Sequence, residues 1–529
     1  MSPTRTLVAL HGRMIRRPSL VLAALFGGAS MAIVAGHEGL YPKGSDRSAV
    51  VALGENPGLR ALLGSGTGLD TPGGFTAWRF GGPAVVILAV WSYLATTRLL
   101  RGDEDAGRAE MMRAGAITGS TLLHSAMAVV AIGTLVVAGG AGLGMVAGGV
   151  PVVGSMLTAA AIAAGGLVFG EVGVVAAQVF PTRRASALAS GGTVILAFLV
   201  RAIANTGEGL EWLRWATPFG WSELVRPFGD RAVTPFSAAA AAAVVLHLGG
   251  ARLARGRDLG AATIPDRERR SARTVGLGSS LELAIRHVIP RALVWTVPVV
   301  VVSATFGMLS RDIGEFFETS STFNDVFERF DVDPSIPVRA FLGFVVSTFA
   351  IAGTCFAVSE MGAAREEEAT ARLDNLLTRS VSRRSWLIGR LLVAAAGVAV
   401  LSIGLAVGAG AGAAWGGADI AVAEFTTVAT NAVPIALLFL GISAAAFAAA
   451  PRTTTAIGFG SVGTSFIWQL VGSAVNAPQW VQNFTPFAHV APVPAQGMNV
   501  GASLVLSMIG VAGCIAAVEV FARRDVQLG

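Results

Sequence analysis

Apolar runs of about eighteen or more residues recur along the whole chain, separated by short polar, glycine-rich or arginine-bearing stretches. A helix rising 1.5 Å per residue needs a run of that length to cross roughly 30 Å of hydrocarbon. The first run, Ser19 to Ala35, follows a basic leader carrying Arg5, Arg13, Arg16 and Arg17. It is long for a signal-peptide core, and Gly36-His37-Glu38 is a poor cleavage site, so it reads as a retained first span. The leader, LVALHGRMIRR, reads as an amphipathic elbow lying flat at the membrane surface. Further spans are predicted at 81–98, 117–138, 153–178, 186–204 and 234–252, then at 290–309, 338–359, 387–410, 425–449, 455–475 and 499–521. The expected fold is an all-α polytopic membrane protein with about twelve transmembrane helices.

The polar stretches between the runs repeat. RGDEDAGRAEMMRAGAITGS from Arg101 has a twin in REEEATARLDNLLTRSVSRRSWLIGR from Arg365. A shift of 264 positions pairs Arg101 with Arg365, Glu104 with Glu368, Arg108 with Arg372, Glu110 with Asp374, Met112 with Leu376 and Ile117 with Val381. That shift is half the 529-residue length. In both copies Glu precedes Arg by four residues, the favoured order for an i,i+4 pair on a helix, and Leu373, Leu376 and Leu377 share one face of the second copy. Thr217-Pro218-Phe219 after Trp212 likewise corresponds to Thr485-Pro486-Phe487 after Trp480, and Pro181-Thr182-Arg183 to Pro451-Arg452-Thr453. The expected organisation is a six-helix half at 1–251, a cytoplasmic linker at 252–280 and a second half at 281–529. Six spans is an even number, so the halves are parallel repeats, with a central cavity between them as the natural substrate site.

Composition supports a membrane body. Hydrophobic residues make up 53% and charged residues only 14% of the chain, against about 25% charged in soluble domains, and mean hydropathy is +0.65. The stretches Gly139–Gly149 and Gly408–Gly417 suit helices packed closely in lipid, with loops as the competing reading. Segments assigned inside hold 28 of the 39 basic residues, the bias that the positive-inside rule demands, with both termini cytoplasmic. The loop from Arg311 to Pro334 is instead acidic and reads as outside, as does the polar stretch 37–79. The net charge of +6 is therefore placed by topology and implies no nucleic acid. The two cysteines, Cys355 and Cys514, lie in apolar runs and indicate neither redox nor metal chemistry.

No phosphate-binding G-x-x-x-x-G-K-[ST] occurs; Lys43, the sole lysine, follows Pro42 and lacks a glycine-rich lead-in. Zinc-hydrolase and nucleophile-elbow motifs are absent as well, so the chain reads as a non-enzyme without cofactor of its own. The twin stretches resemble the E-E-x-G-R-x-E-x-L motif of ABC-2-type exporter permeases. The layout, with LEWLRWATPFGW from Leu210 and VRPFGD from Val225, is similar to the fused twelve-span actinobacterial branch of polyketide-antibiotic (tetronasin-type) multidrug exporters. The second half departs from that pattern, with PQWVQNFTPFAHVAP instead of the tryptophan-rich version.

The resemblance implies a type V exporter-like permease in the bacterial plasma membrane, moving amphipathic small molecules. ATP and Mg would be held by two copies of a separate ABC ATPase. It implies that Glu104, Arg108, Glu110 and Met112, with Glu368, Arg372, Asp374 and Leu376, couple to those ATPases; ordinary salt-bridged surface helices are the competing reading. It also implies an outer gate at Trp212, Trp215, Phe219, Trp221, Trp480 and Phe487, beside the alternative of an interfacial aromatic belt. Glu171, a lone carboxylate in the fourth span, is a cavity candidate: it contacts a cationic substrate or relays a proton, or it is a neutral acid bonded to a neighbouring helix. Arg201 is expected to snorkel outward to Glu208 or Glu211, and His124 and His247 read as packing residues. A proton-coupled antiporter and a non-transporting membrane scaffold are the alternative functions.

Overall fold

The computed structural model describes residues 3–40, 50–51, 54–55, 57–114, 117–206, 209–264, 278–319, 337–378, 381–418, 422–474 and 478–525. Position 208, the acidic side chains of 312–333 and the expected linker's residues 265–277 lie outside them. Among the described residues the structure is helical, without strands. Eleven helices there are long and apolar enough to cross a membrane. The span expected at 455–475 is a helix too, Thr454–Ala474, part of whose side chains lie outside the described set. The chain is an all-α polytopic membrane protein. It divides into two compact units, Met1–Arg270 and Ser271–Gly529.

Unit 1 runs α1 (Pro3–Leu40), α2 (Pro57–Leu63), α3 (Pro72–Asp105), α4 (Arg108–Arg113), α5 (Gly119–Ala147), α6 (Val152–Val179), α7 (Arg183–Thr206), α8 (Pro218–Leu224) and α9 (Thr234–Arg255). The leader does not form a separate flat elbow. It continues into the first span as one helix, with Pro18 inside it. Leu7, His11 and Ile15, one turn apart, are buried, and His11 meets Ser125 of α5 at 3.4 Å. Burying that stripe against α5 keeps the leader in line with the span, and a single proline removes one backbone bond without ending so long a helix.

Unit 2 runs α10 (Ser280–Thr319), α11 (Pro337–Ala369), α12 (Arg372–Leu377), α13 (Arg383–Trp415), α14 (Val422–Asn431), α15 (Val433–Ala449), α16 (Thr454–Ala474), α17 (Gln479–Gln482) and α18 (Val500–Arg523). The packing partners match between units: α1 lies along α5 as α10 lies along α13, and α6 packs on α9 as α15 packs on α18.

Both glycine-rich stretches are helix, and they are where backbones touch. A Cβ on Gly140 or Gly144 would stand 2.3 or 2.1 Å from the carbonyl oxygen of Ala23 or Gly27; on Gly412 or Gly416 it would stand 2.0 or 2.2 Å from that of Ala304 or Met308. Such contacts replace hydrophobic driving force, which lipid does not supply, by close dispersion contact. Phe, Leu and Val fill the remaining interior, for example Leu88, Phe169 and Val137 in unit 1 and Phe356, Leu401 and Phe447 in unit 2.

Candidate coupling and gate sites

The twin motifs build the same local structure twice. α3 and α11 run past the apolar segment, and each stops at a residue in the left-handed region: Gly107 (φ 69°) and Ala371 (φ 58°). A six-residue helix follows in each case, α4 and α12. Its single buried side chain is Ala109 in one unit and Leu373 in the other. Thr118 and Ser382 then cap α5 and α13, accepting from the backbone N–H of Thr121 and Ser385.

The left-handed residue overturns the expected i,i+4 pairing of Glu104 with Arg108. It ends the helix between the two side chains, so they leave on different faces. Arg108 turns back instead to Asp103, with Nη2 and Nε donating to Oδ1 at 2.6 and 3.0 Å.

Glu104 is held by arginines from elsewhere. Arg101 donates to it at 2.6 Å. Arg257, two residues beyond α9, forks onto both carboxylate oxygens, one bond measuring 2.9 Å. Unit 2 repeats the arrangement. Glu368 is fully buried, with Arg365 at 3.4 Å and Arg524, one residue beyond α18, forking onto both oxygens at 2.8 and 3.1 Å. Around these pairs, Arg101 also donates to the carbonyl of Pro181 at 2.6 and 2.9 Å, and Arg524 stands over the rings of Phe521 and Phe447.

Of the eight residues singled out by sequence, Glu104 and Glu368 thus point inward. Arg108, Glu110 and Arg372 stand exposed on the short helices, with Met112 and Asp374 half-buried. Leu376 packs against the unit 2 core. Met111, which the sequence reading passed over, is 71% exposed on α4 beside Glu110.

At the opposite end, the tryptophan end, each unit buries the phenylalanine of its Thr-Pro-Phe segment. Phe219 lies 5.3 Å from Phe169 of α6 and 5.9 Å from Phe198 of α7. Phe487 lies 5.9 Å from Phe439 of α15 and 5.6 Å from Phe466 of α16. Trp212, Trp215 and Trp480 are exposed. Trp221 is half-buried and donates Nε1–H to the Trp215 carbonyl at 2.7 Å. The phenylalanines and the tryptophans therefore sit in different environments, the first as plugs in the core and the second as a surface girdle.

Arg201 does not reach outward. It is 1% exposed and pairs with Glu223 of α8 at 3.1 Å, with its guanidinium 4.8 Å above the Phe198 ring. Glu223 also accepts from Asn205 Nδ2 at 2.9 Å, and Arg214 Nε donates to Asn205 Oδ1 at 2.8 Å. Burial pushes the Glu223 carboxyl above the ordinary range, while Arg201, Asn205, Arg214 and the Ser65 backbone pull it back. A buried charge pair whose carboxylate is also held by Asn205 is the arrangement that α8, folded back against α7, makes possible. A shallow cleft at the surface of unit 1 is lined by Trp78, Thr158, Glu223, Arg226 and Phe228.

Glu171 is buried in α6 and is hydrogen-bonded to His247 of α9, whose Nδ1 lies 3.0 and 3.1 Å from its two oxygens. The His247 ring meets that of His124 edge-on at 5.1 Å. His247 is thus a polar partner and no mere packing residue. In unit 2 the corresponding helices touch by backbone: a Cβ on Gly441 would lie 2.3 Å from the Gly510 carbonyl oxygen. Unit 2 has its own buried ions instead, Arg291 with Glu360 at 2.7 Å and Arg390 with Glu367.

Among known proteins, the sequence profile of the family described as "Multidrug efflux system permease Rv1217c, C-terminal domain" matches residues 44–255 and 277–522. The multidrug efflux system permease protein Rv1217c of Mycobacterium tuberculosis is 32% identical over 507 residues, covering 93% of this chain and 90% of the relative.

Proposed function

This chain belongs to the Rv1217c family of multidrug efflux permeases, and on that premise we propose that it is the membrane-spanning subunit of an ATP-driven exporter of amphipathic small molecules. ATP and Mg belong to two copies of a separate ATPase, one for each motif, and in each unit the end that bears the short helix faces the cytoplasm. One observation carries the reading: the assembly of long span, left-handed residue and six-residue helix is built twice, 264 residues apart.

The face offered to a partner is mixed polar and apolar on α4 and polar on α12. On α4, Arg108, Glu110, Met111 and Arg113 are exposed; on α12, Arg372 and Asn375 are. Such a face suits a groove with charges at its rim and an apolar floor, in which a methionine adapts its shape to the pocket it meets. The test is co-purification of the full chain with the candidate ATPase. Reversing Arg108 and Arg372 together to Glu is expected to lower recovery of the ATPase at least tenfold, with the chain still monodisperse. Undiminished recovery and efflux would overturn the docking assignment.

The cluster of Glu171, His247 and His124 favours a second reading, proton-coupled antiport, because intramembrane carboxylates and histidines mark proton relays. Efflux that follows the proton gradient and ignores ATP depletion would select it.

A further inference from the structure

We infer that Arg257 and Arg524 are positioning residues that latch the coupling element of each half to the end of that half's sixth span. This rests on the ATP-driven reading above and gives the motif glutamates a role other than docking.

A carboxylate serving as a docking contact has to reach the partner protein. Glu368 has no exposed surface and Glu104 keeps 13% of its side chain exposed. Each is consumed by two arginines of its own unit. One of the two, Arg101 or Arg365, is on the same helix and holds the carboxylate in place locally. The other comes from the far end of the unit's chain, 153 residues away for Glu104 and 156 for Glu368.

The arginine in each case lies within two residues of the end of the sixth membrane helix, and in each case it uses both terminal guanidinium nitrogens on both carboxylate oxygens. A two-point fork fixes orientation as well as distance, which a lysine's single point charge does not. The recurrence is independent of the motif repeat: the motif glutamates stand 264 apart and the arginines 267 apart. Neither motif copy contains the second partner, so the repeated motif alone does not account for the contact.

Further contacts stiffen each latch. Arg257 Nε donates to Gln178 of α6 at 3.1 Å, and the strand of chain after α9 returns under α6 through Ile264 N–H to the Val179 carbonyl at 2.9 Å. In unit 2, Arg383 at the start of α13 donates to the Arg524 carbonyl. The end of the second span, which the short helix follows, and the end of the sixth span are therefore tied together at the motif end of each unit. A displacement imposed on α4 or α12 passes to α9 or α18 through the fork.

The test uses the full chain, alone and with its ATPase. In Arg524→Gln, hydrogen exchange in the purified chain is expected to rise about tenfold over Arg372–Leu377 and at the end of α18, with α13 unchanged. In the complex, the ATPase stays bound and its basal hydrolysis persists, while substrate-stimulated hydrolysis and transport fall at least tenfold. Arg524→Lys, which keeps the charge and loses the fork, gives intermediate values and guards against misfolding as the cause. Arg257→Gln repeats the pattern in the other half. Unchanged exchange over α12 would overturn the latch whatever the energy source. Raised exchange with full substrate stimulation would overturn its role in transmission, as would loss of ATPase binding in Arg524→Gln. Failure of wild-type chain to bind any ATPase, with the exchange result intact, would strike the ATP-driven reading and the transmission role together, leaving only the structural latch.

Discussion

Truncating Leu373 to Ala isolates what holds the second coupling helix in place. α12 has six residues, far below the length at which a helix is stable alone, and Leu373 is its one buried side chain. Removing three carbons from a fully buried site loses about 2.4 kcal/mol of transfer free energy at ~0.8 kcal/mol per carbon. The cavity left behind raises the cost into the range of about 2–5 kcal/mol. Because Leu373 is the one fully buried anchor of the helix, beside the partly buried Leu376 and Leu377, the loss is expected as local opening and not as global unfolding. At about 1.36 kcal/mol per tenfold, 2.4 kcal/mol makes opening roughly 60-fold more frequent.

Hydrogen exchange read by mass spectrometry, on the full chain in a nanodisc, measures this directly over Arg372–Leu377. The wild-type chain carries an internal control, since Ala109 occupies the matching place in α4. The fork from Arg108 to Asp103 compensates α4 only in part, because Arg108 is half exposed and such pairs contribute about 0–1 kcal/mol. Wild-type α4 is therefore expected to exchange faster than α12, and Leu373→Ala to bring α12 close to α4. Equal loosening of α13, or no change in α12, would refute the reasoning.

Arg201→Met strands the buried Glu223 and is expected to cost about 3–5 kcal/mol, read as a fall in Tm, with most of it recovered in the double variant Arg201→Met, Glu223→Met. Phe219→Ala and Phe487→Ala are each expected to cost about 3–5 kcal/mol, whereas Trp212→Ala and Trp480→Ala stay within about 0.5 kcal/mol in detergent; a thermal-shift series separates plug from girdle. Ala371→Gly removes a left-handed alanine and is expected to stabilise α12 by about 1 kcal/mol, while Ala371→Val lowers stability, measured by the same exchange experiment.

The membrane spans were legible because hydrocarbon thickness sets a length that apolar runs either meet or miss, and nothing tertiary intervenes. The repeat was legible because duplicated chemistry keeps its spacing: Arg101, Glu104 and Arg108 carry the same offset as Arg365, Glu368 and Arg372. What the pattern concealed was partner choice. An i,i+4 pairing assumes an unbroken helix, and Gly107 interrupts it; at Ala371 not even a glycine signals the break. Glu104 and Glu368 find their second arginine 153 and 156 residues away, a distance at which local spacing carries no information. An available signal was the arginine that closes each sixth apolar run. Arg201, near the end of its span, reads as pairing with Glu208 or Glu211, whereas α8 folds back and brings it the buried Glu223, a partner that no local spacing indicates. Glu171 stands out as an isolated acid, but His247, 76 residues away, is indistinguishable in sequence from a packing residue; the contact of α6 with α9 makes it a partner.

Reconstituted transport tests the central claim most directly: the chain in proteoliposomes, with and without its ATPase, loaded with a fluorescent amphipathic drug. The account predicts drug movement only when the ATPase and Mg-ATP are present on the side of α4 and α12, undiminished when the pH gradient is collapsed. Transport by the chain alone, driven by a pH gradient and abolished in Glu171→Gln, would contradict it.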